Sequence, residues 1–414
     1  MQAEINEHRL LERIDAFARI GGTPAGGVNR QALSQEDRQA RGLLARLARA
    51  RGFRVFQDPM ANLFVRREGR FSSLPPFVIG SHLDSQPTGG RFDGALGVLA
   101  AFEVMESLED AGIETDLPLE VVAWTNEEGS RFAPGAMGSS AFALGHIPPE
   151  WTDVRARNGA HLTEELKLTL DALADTEARP LGIGISAYLE LHIEQGPTLE
   201  REGVPIGIVH GIQGTRWLEV VLTGQAAHAG TTPLAFRRDP MVAAAAALDR
   251  LYKSVMQKDE RVRFTVGRFV LEPGSVNAIP ETVTFTIDLR HPETAVLDAL
   301  EEIIAAEIEE ERVASGCTSS IRRLSEMEPA SFSDTLLTCL DRAAEHLGLT
   351  TIRMLSGAFH DALFINRKAP SAMIFVPCRD GLSHNEAEYV EPGHCVAGAR
   401  MLLASTLEAT RQAP

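Results

Sequence analysis

The sequence predicts an α/β fold in two parts: a mixed-sheet α/β/α domain assembled from residues 1–212 and 327–414, and an inserted ferredoxin-like α+β domain over 213–326. Three observations lead there. A chain of 414 residues exceeds one ordinary core. Its first half alternates apolar, β-branched runs with helical periodicity, as a layered fold with a largely parallel sheet requires. From about residue 213 the order becomes β-α-β-β-α-β, enough for a self-contained four-stranded sheet covered by two helices.

The elements follow in chain order. The opening MQAEINEHRLLERIDAFARIGGT sets apolar residues at helical spacing and lacks the basic start and apolar core of a signal peptide. PPFVIGSHLD around Val78 and PLEVVAWTNEEG around Val121 read as buried strands that end in polar residues, with the helix ALGVLAAFEVMESLEDAG between them. In the inserted segment WLEVVLTG, RFTVGRFVLE, TVTFTIDLRH and TSSIRRLSEME read as strands. DPMVAAAAALDRLYKSV and ETAVLDALEEIIAAEIEEERVAS read as its helices. Helix-like SDTLLTCLDRAAEHLG, the loop SGAFHDA, the strand SAMIFVPC and a last helix then resume the first style.

Composition narrows the function classes. With 44% hydrophobic and 23% charged residues the chain is globular, not disordered. A net charge of −17 disfavours nucleic acid and anionic membrane as partners. Cys317, Cys339, Cys378 and Cys395 lack C-x-x-C spacing and read as reduced thiols. No apolar run reaches membrane-spanning length, so a cytoplasmic protein is expected.

In open α/β sheets ligands collect beyond the carboxyl ends of the strands, which directs attention to the polar tails. His82 closes FVIGSH, and Asp84 is placed to orient its ring through the second nitrogen. Asp93 sits in GGRFDGALG, where two carboxylate oxygens suit a bridge between cations. The glycines there match neither G-x-G-x-x-G nor a G-K-[ST] ending, so the loop is not a phosphate cradle. Glu127 and Glu128 follow LEVVAW, where one carboxylate can ligate a metal while its neighbour moves protons. His192 lies in YLELHIEQG and His384 in GLSHNEAE. Taken singly, each of these residues has a commoner structural explanation, such as a turn aspartate or a half-buried histidine. Their joint placement at strand ends points to one shared site. A mixed nitrogen and oxygen set suits Zn, Mn, Co or Ni rather than Ca or Mg. Arg290, ending TFTIDLRH, offers a bidentate fork for a substrate carboxylate.

The ordered motifs GSHLDSQPTGGRFDG, WTNEEGSRF, ELHIEQG, HAGTTP, GSVNAIP, SGAFHDA and LSHNEAE resemble the hydantoinase/carbamoylase branch of the M20 metallopeptidase-like amidohydrolases. That branch holds N-carbamoyl-L-amino-acid hydrolases, β-ureidopropionases and allantoate amidohydrolases, and the likeness runs from about residue 15 to 410. The resemblance implies a pair of divalent metals bridged by Asp93, with His82 and His192 on one and Glu128 and His384 on the other. It makes Glu127 the general base. Arg290 and Asn277 would bind the substrate's carboxylate end, and His228 would reach the oxyanion from a partner's lid. Gln195 and Gly357 are further substrate candidates, with His360 and Asp361 supporting the loop. The family's small domain dimerises and acts as a lid, which implies a homodimer. Peptidase relatives usually carry a carboxylate where His192 stands, so this histidine separates the branch from aminopeptidases. Phe359 departs from the glycine expected in SGAGHDA.

The expected activity is hydrolysis of the ureido bond of N-carbamoyl-L-amino acids or N-carbamoyl-β-alanine. Allantoate hydrolysis is the alternative within the branch. A dipeptidase or aminoacylase, or a metal-binding protein without catalysis, are the readings outside it.

Overall fold

Four strands run parallel through the middle of the larger sheet: Ser371–Val376, Ala187–Ile193, Phe77–His82 and Leu119–Trp124, in that spatial order. The computed structural model in which they are seen describes residues 3–256 and 259–411. Ile206–Ile212 on one side, and Leu63–Arg67 followed by Arg54–Gln57 on the other, add antiparallel strands. The sheet is therefore mixed, with the parallel strands innermost. Those four strands are buried throughout, as expected for parallel strands covered on both faces. The helix Ala95–Asp110 lies between two of them in sequence and is buried along nearly its whole length. Helices Glu7–Ala18, Gln35–Ala50, Asp334–Leu347 and Pro392–Thr410 complete the main layers.

Register brings the carboxyl ends of these strands level. His82 pairs with Trp124, and His192 pairs with Phe375. Each strand hands over to a loop at the same edge, so residues far apart in sequence emerge as neighbours.

Residue contacts divide the chain into two units, Met1–His210 with Phe332–Pro414, and Gly211–Ser331. In the second, strands Gly214–Thr223, Arg263–Glu272, Thr282–His291 and Thr318–Met327 form an antiparallel sheet in the order second, third, first, fourth. Helices Pro240–Ser254 and Thr294–Ser315 supply its apolar cover. Burial alternates strictly along Thr282–His291, the mark of a sheet with one packed face. Its core joins Leu218, Val220, Phe285 and Ile287 to Ala247, Leu300 and Ile304 of the helices. The first strand begins at Gly214 rather than Trp217, because its ladder to Thr282–His291 continues past the apolar run.

Buried charge fixes the first unit behind the strand ends. Arg41 and Asp37 are fully buried, and Arg41 Nε meets both Asp37 oxygens at 2.9 and 3.0 Å. The guanidinium also donates to the carbonyls of Ala61 at 2.8 Å and Trp124 at 2.9 Å. Arg30, likewise buried, donates only to main-chain oxygens, among them Leu83 at 2.7 Å. Two arginines thus grip the main chain where the His82 and Trp124 strands end. The four cysteines are free and buried. Among the described residues no helix is long and apolar enough to cross a membrane.

Removing Arg41 would strand the Asp37 carboxylate in an apolar setting. Arg41→Met is expected to cost about 3–5 kcal/mol, read as a fall in the urea midpoint, and Asp37→Asn added to it should recover part of that loss. An unchanged midpoint in Arg41→Met would show that the pair does not brace the strand ends.

Candidate metal centre

Asp93 stands at the centre of the cluster, 5% exposed. Its Oδ1 faces His192 Nε2 at 3.2 Å and His82 Nε2 at 3.5 Å. Its Oδ2 faces His384 Nε2 at 3.6 Å, and His384 Nε2 lies 3.2 Å from Glu128 Oε2. The ligand atoms of His82, Asp93 and His192 form one compact group, and those of Asp93, Glu128 and His384 another. Glu127 Oε2 is 3.5 Å from His82 Nε2. All five candidate ligands and Glu127 therefore gather in the first unit, at the level strand ends.

The imidazoles are aimed by the main chain. His82 Nδ1 lies 2.9 Å from the carbonyl of Asp84, and His192 Nδ1 lies 3.0 Å from the carbonyl of Ile193. Donation from Nδ1 leaves Nε2 of each ring as the lone-pair nitrogen. Asp84 therefore orients His82 through its carbonyl oxygen, and the expectation that its carboxylate does so is corrected. That carboxylate, 3.9 Å from the ring, instead accepts the N–H groups of Glu127 at 3.3 Å and Glu128 at 3.2 Å. One residue thereby ties the end of the His82 strand to the glutamate pair. Among the described residues His82 Nε2 is buried with no hydrogen-bond partner, although Asp93 and Glu127 both face it. An orphaned lone pair in a nitrogen and carboxylate pocket fits a divalent cation.

Some of the backbone strain lies here. Asn126, Gln195 and His384 adopt left-handed φ of 57°, 55° and 53°; His384 is a candidate ligand, Asn126 precedes Glu127, and Gln195 contacts Asp93. Such conformations cost non-glycine residues roughly 1–3 kcal/mol each and survive where surrounding structure holds them. Asn126 shows the holding: its Nδ2 donates to the carbonyls of Phe132 and Pro134 at 2.7 and 3.0 Å. Gly94, with φ 62°, presses against the flat side of His82, and a Cβ there would lie 2.3–2.4 Å from three ring atoms.

Charge is distributed unevenly over the carboxylates. Burial pushes Glu127 well above the usual carboxyl range, helped by Asp361, Glu128 and Asp93 and opposed by His82. Burial also acts to raise Asp93, but the neighbouring imidazoles of His192 and His82 outweigh it and hold the group well below its usual range. Its hydrogen bond to Glu128 lifts His384 to about 9 against the effect of burial. The shared carboxylate is thus held the more acidic of the two, and Glu127 the more basic.

Other expected residues fall into place differently. Gln195 Nε2 donates to Asp93 Oδ2 at 2.8 Å, so its amide contacts the shared carboxylate. Gly357 is exposed on the loop after Thr351–Ser356. His360 packs its ring 4.4 Å from that of His192 and meets Ser356 Oγ at 3.1 Å. Asp361 is fully buried, and burial followed by Glu190 raises it well above its usual range. Phe359 packs against Gly135, beside the carbonyl of Glu127. His228, Asn277 and Arg290 belong to the second unit. His228 Nδ1 accepts the N–H groups of Gly230 and Thr231 at 3.0 and 3.2 Å, which leaves Nε2 as the donor. Asn277 neighbours it across a two-stranded ladder, its carbonyl accepting from Ala229 at 3.0 Å. The Arg290 fork already engages Asp288, with Nη2 to Oδ2 at 2.7 Å.

Sequence reasoning missed Gln86, Glu190 and Glu388. Gln86 donates its N–H and its Nε2 to the two oxygens of Glu128 at 3.1 and 2.7 Å. Glu190, buried between Ser81 Oγ at 2.7 Å and the N–H of Ala362 at 3.0 Å, shares a strand face with His192. A carboxylate flanked by leucines within a strand-like stretch is a readable signal for Glu190. Glu388 accepts the N–H groups of Phe92 and Asp93.

Residues 78–408 match the family described as Peptidase family M20/M25/M40. The N-carbamoyl-L-amino-acid amidohydrolase of Rhizobium meliloti is 40% identical over 98% of this chain and 96% of its own. The allantoate amidohydrolase of Bacillus subtilis is 32% identical over 96% of each chain. A solved amidase of the hydantoinase/carbamoylase family from Burkholderia multivorans superposes with a TM-score of 0.94 at 40% identity, covering 100% of both chains.

Gly94→Ala should displace the His82 ring and weaken zinc binding by about 10–100-fold, the usual scale for disturbing a ligand's support. Equilibrium dialysis against zinc measures it, with far-ultraviolet circular dichroism reporting an intact fold. Undiminished affinity would mean that the glycine does not shape the site.

Proposed function

The chain belongs to peptidase family M20/M25/M40, and from that premise we propose that it hydrolyses the ureido C–N bond of N-carbamoyl-L-amino acids, yielding amino acid, carbon dioxide and ammonia. The observation that carries the proposal is the shared carboxylate: Asp93 turns one oxygen to His82 and His192 and the other towards His384, which pairs with Glu128. The hydantoinase/carbamoylase likeness supports the substrate class, and N-carbamoyl-β-alanine belongs to the same chemistry.

His82 and His192 would hold one cation, Glu128 and His384 a second, and Asp93 both. Two divalent ions, zinc ahead of manganese, cobalt or nickel, would supply the Lewis acidity that acidifies water and polarises the carbonyl. Glu127 is the proton carrier. It takes a proton from the attacking water and returns it to the departing nitrogen, so that the C–N bond breaks with a neutral amine leaving. Burial and surrounding carboxylates make Glu127 a stronger base than a solvated glutamate, which suits the first transfer. The carbamate released then falls to carbon dioxide and ammonia.

Arg290 and Asn277 are proposed to bind the substrate carboxylate. Arg290 would exchange or share its present partner Asp288. His228, with Nε2 free to donate while Nδ1 accepts, is suited to a developing oxyanion. The same reading assigns dimerisation to the second unit, a homodimer to the protein and the cytoplasm as its compartment.

Zinc- or manganese-loaded protein is expected to release ammonia from N-carbamoyl-L-methionine and N-carbamoyl-β-alanine in preference to allantoate. A preference for allantoate would move the assignment to the other branch, and no ammonia from any of the three would refute it. Glu127→Gln should lower kcat by about 10²–10⁴-fold with metal content unchanged, measured by the same assay and elemental analysis. Turnover at the wild-type rate would remove Glu127 from the mechanism.

A further inference from the structure

Four residues beyond His384, Glu388 reaches back to the loop that carries Asp93. Its Oε1 accepts the N–H of Phe92 at 2.8 Å and of Asp93 at 3.1 Å, and the residue is 3% exposed. Gly90 lies against the same carboxyl group, where a Cβ would come within 2.0 Å of Cδ and Oε1. The loop can close on Glu388 only because position 90 has no side chain. The segment bearing Glu388 is itself braced, since the Asn385 side chain accepts the N–H of Ala387 at 2.9 Å and its carbonyl accepts that of Glu388 at 3.0 Å. One short stretch therefore supplies His384 to one oxygen of Asp93 and anchors the main chain of Asp93 itself.

The loop needs such an anchor. Gly89, Gly90 and Gly94 surround Asp93, and glycine-flanked chain has little stiffness of its own. A carboxylate that must serve two ligand pairs at once tolerates displacement of only about 0.5 Å. The N–H groups of Phe92 and Asp93 are buried, and without Glu388 they would lose their acceptor.

We propose that Glu388 is a positioning residue for the shared carboxylate, acting as a hydrogen-bond acceptor that sets where Asp93 presents its two oxygens. This rests on the reading of Asp93 as the common ligand. The required property is an acceptor at the right reach rather than a negative charge. Glu388→Gln keeps both reach and acceptor, Glu388→Met keeps reach alone, and Gly90→Ala pushes an unchanged Glu388 away from the loop.

The test titrates zinc alone into the metal-free full-length proteins, with a chelator as competitor, and follows thermal melting of the same metal-free samples. Glu388→Met and Gly90→Ala are expected to bind zinc about 10–100-fold more weakly while still melting in one cooperative transition, and Glu388→Gln to stay within a few-fold of the wild-type affinity. Wild-type affinity in Glu388→Met, or a loss in Glu388→Gln equal to that in Glu388→Met, overturns the proposal. If Glu388→Met does not fold, Gly90→Ala takes its place in the same comparison. Failure of the wild type itself to bind zinc would sink the metal reading and this inference with it, whereas tight binding by wild type and all variants sinks the inference alone.

Discussion

A buried carboxylate that has to remain charged is the constraint around which the first unit is organised. Placing an isolated ion such as Asp93 away from water is strongly unfavourable unless partners replace its hydration. The Gln195 amide donates to one oxygen, and cations held between the carboxylate and the facing imidazoles of His82, His192 and His384 would supply the rest. Bringing those groups to one point demands that several strands end together. The level register of four parallel strands meets that demand, and the choice of parallel pairing in the interior follows from it.

The cost appears at the junctions between strand and loop. Asn126, Gln195 and His384, in the loops that follow the strands, take left-handed backbone conformations, and buried arginines bind main-chain oxygens at or just beyond the strand ends. A similar use of charge docks the N-terminal helix: Arg9 and Arg13 pair with Glu103 and Glu106, which lie buried on the helix Ala95–Asp110. Charged residues in this unit thus replace part of what apolar packing does elsewhere. They restrict the backbone in direction as well as position, because a guanidinium or carboxylate hydrogen-bonds only along certain lines.

Much of this was legible in the sequence, and the boundary of legibility has a physical cause. Apolar strands ending at His82 and just before Glu127, and a helix opening at Gly94, follow from local periodicity. So does the β-α-β-β-α-β order of the second unit. The gathering of His82, Asp93, Glu128, His192 and His384 could be inferred because strands of one sheet share an edge. What support those residues receive could not. Asp84 sits beside His82 in sequence, yet its carboxylate bonds to the chain at Glu127 and Glu128, and only tertiary register decides between those partners. Glu388 reads as one more acidic residue in LSHNEAE until the Asp93 loop is seen folded against it. Arg290 kept its fork geometry, but its partner Asp288 lies two residues away on the same strand.

The order in which the chain visits its own centre has one more consequence. His82, Asp93, Glu128 and His192 precede the second unit, while His384 and Glu388 follow it. An ion held by both groups acts as a cross-link that closes a very long loop, and the entropy of closure grows only slowly with loop length. The C-terminal part of the first unit would then be clasped to the rest more firmly as free cation rises, by a term that grows with the logarithm of its concentration. Metal supply would set how long the folded chain survives proteolysis as well as how fast it turns over substrate.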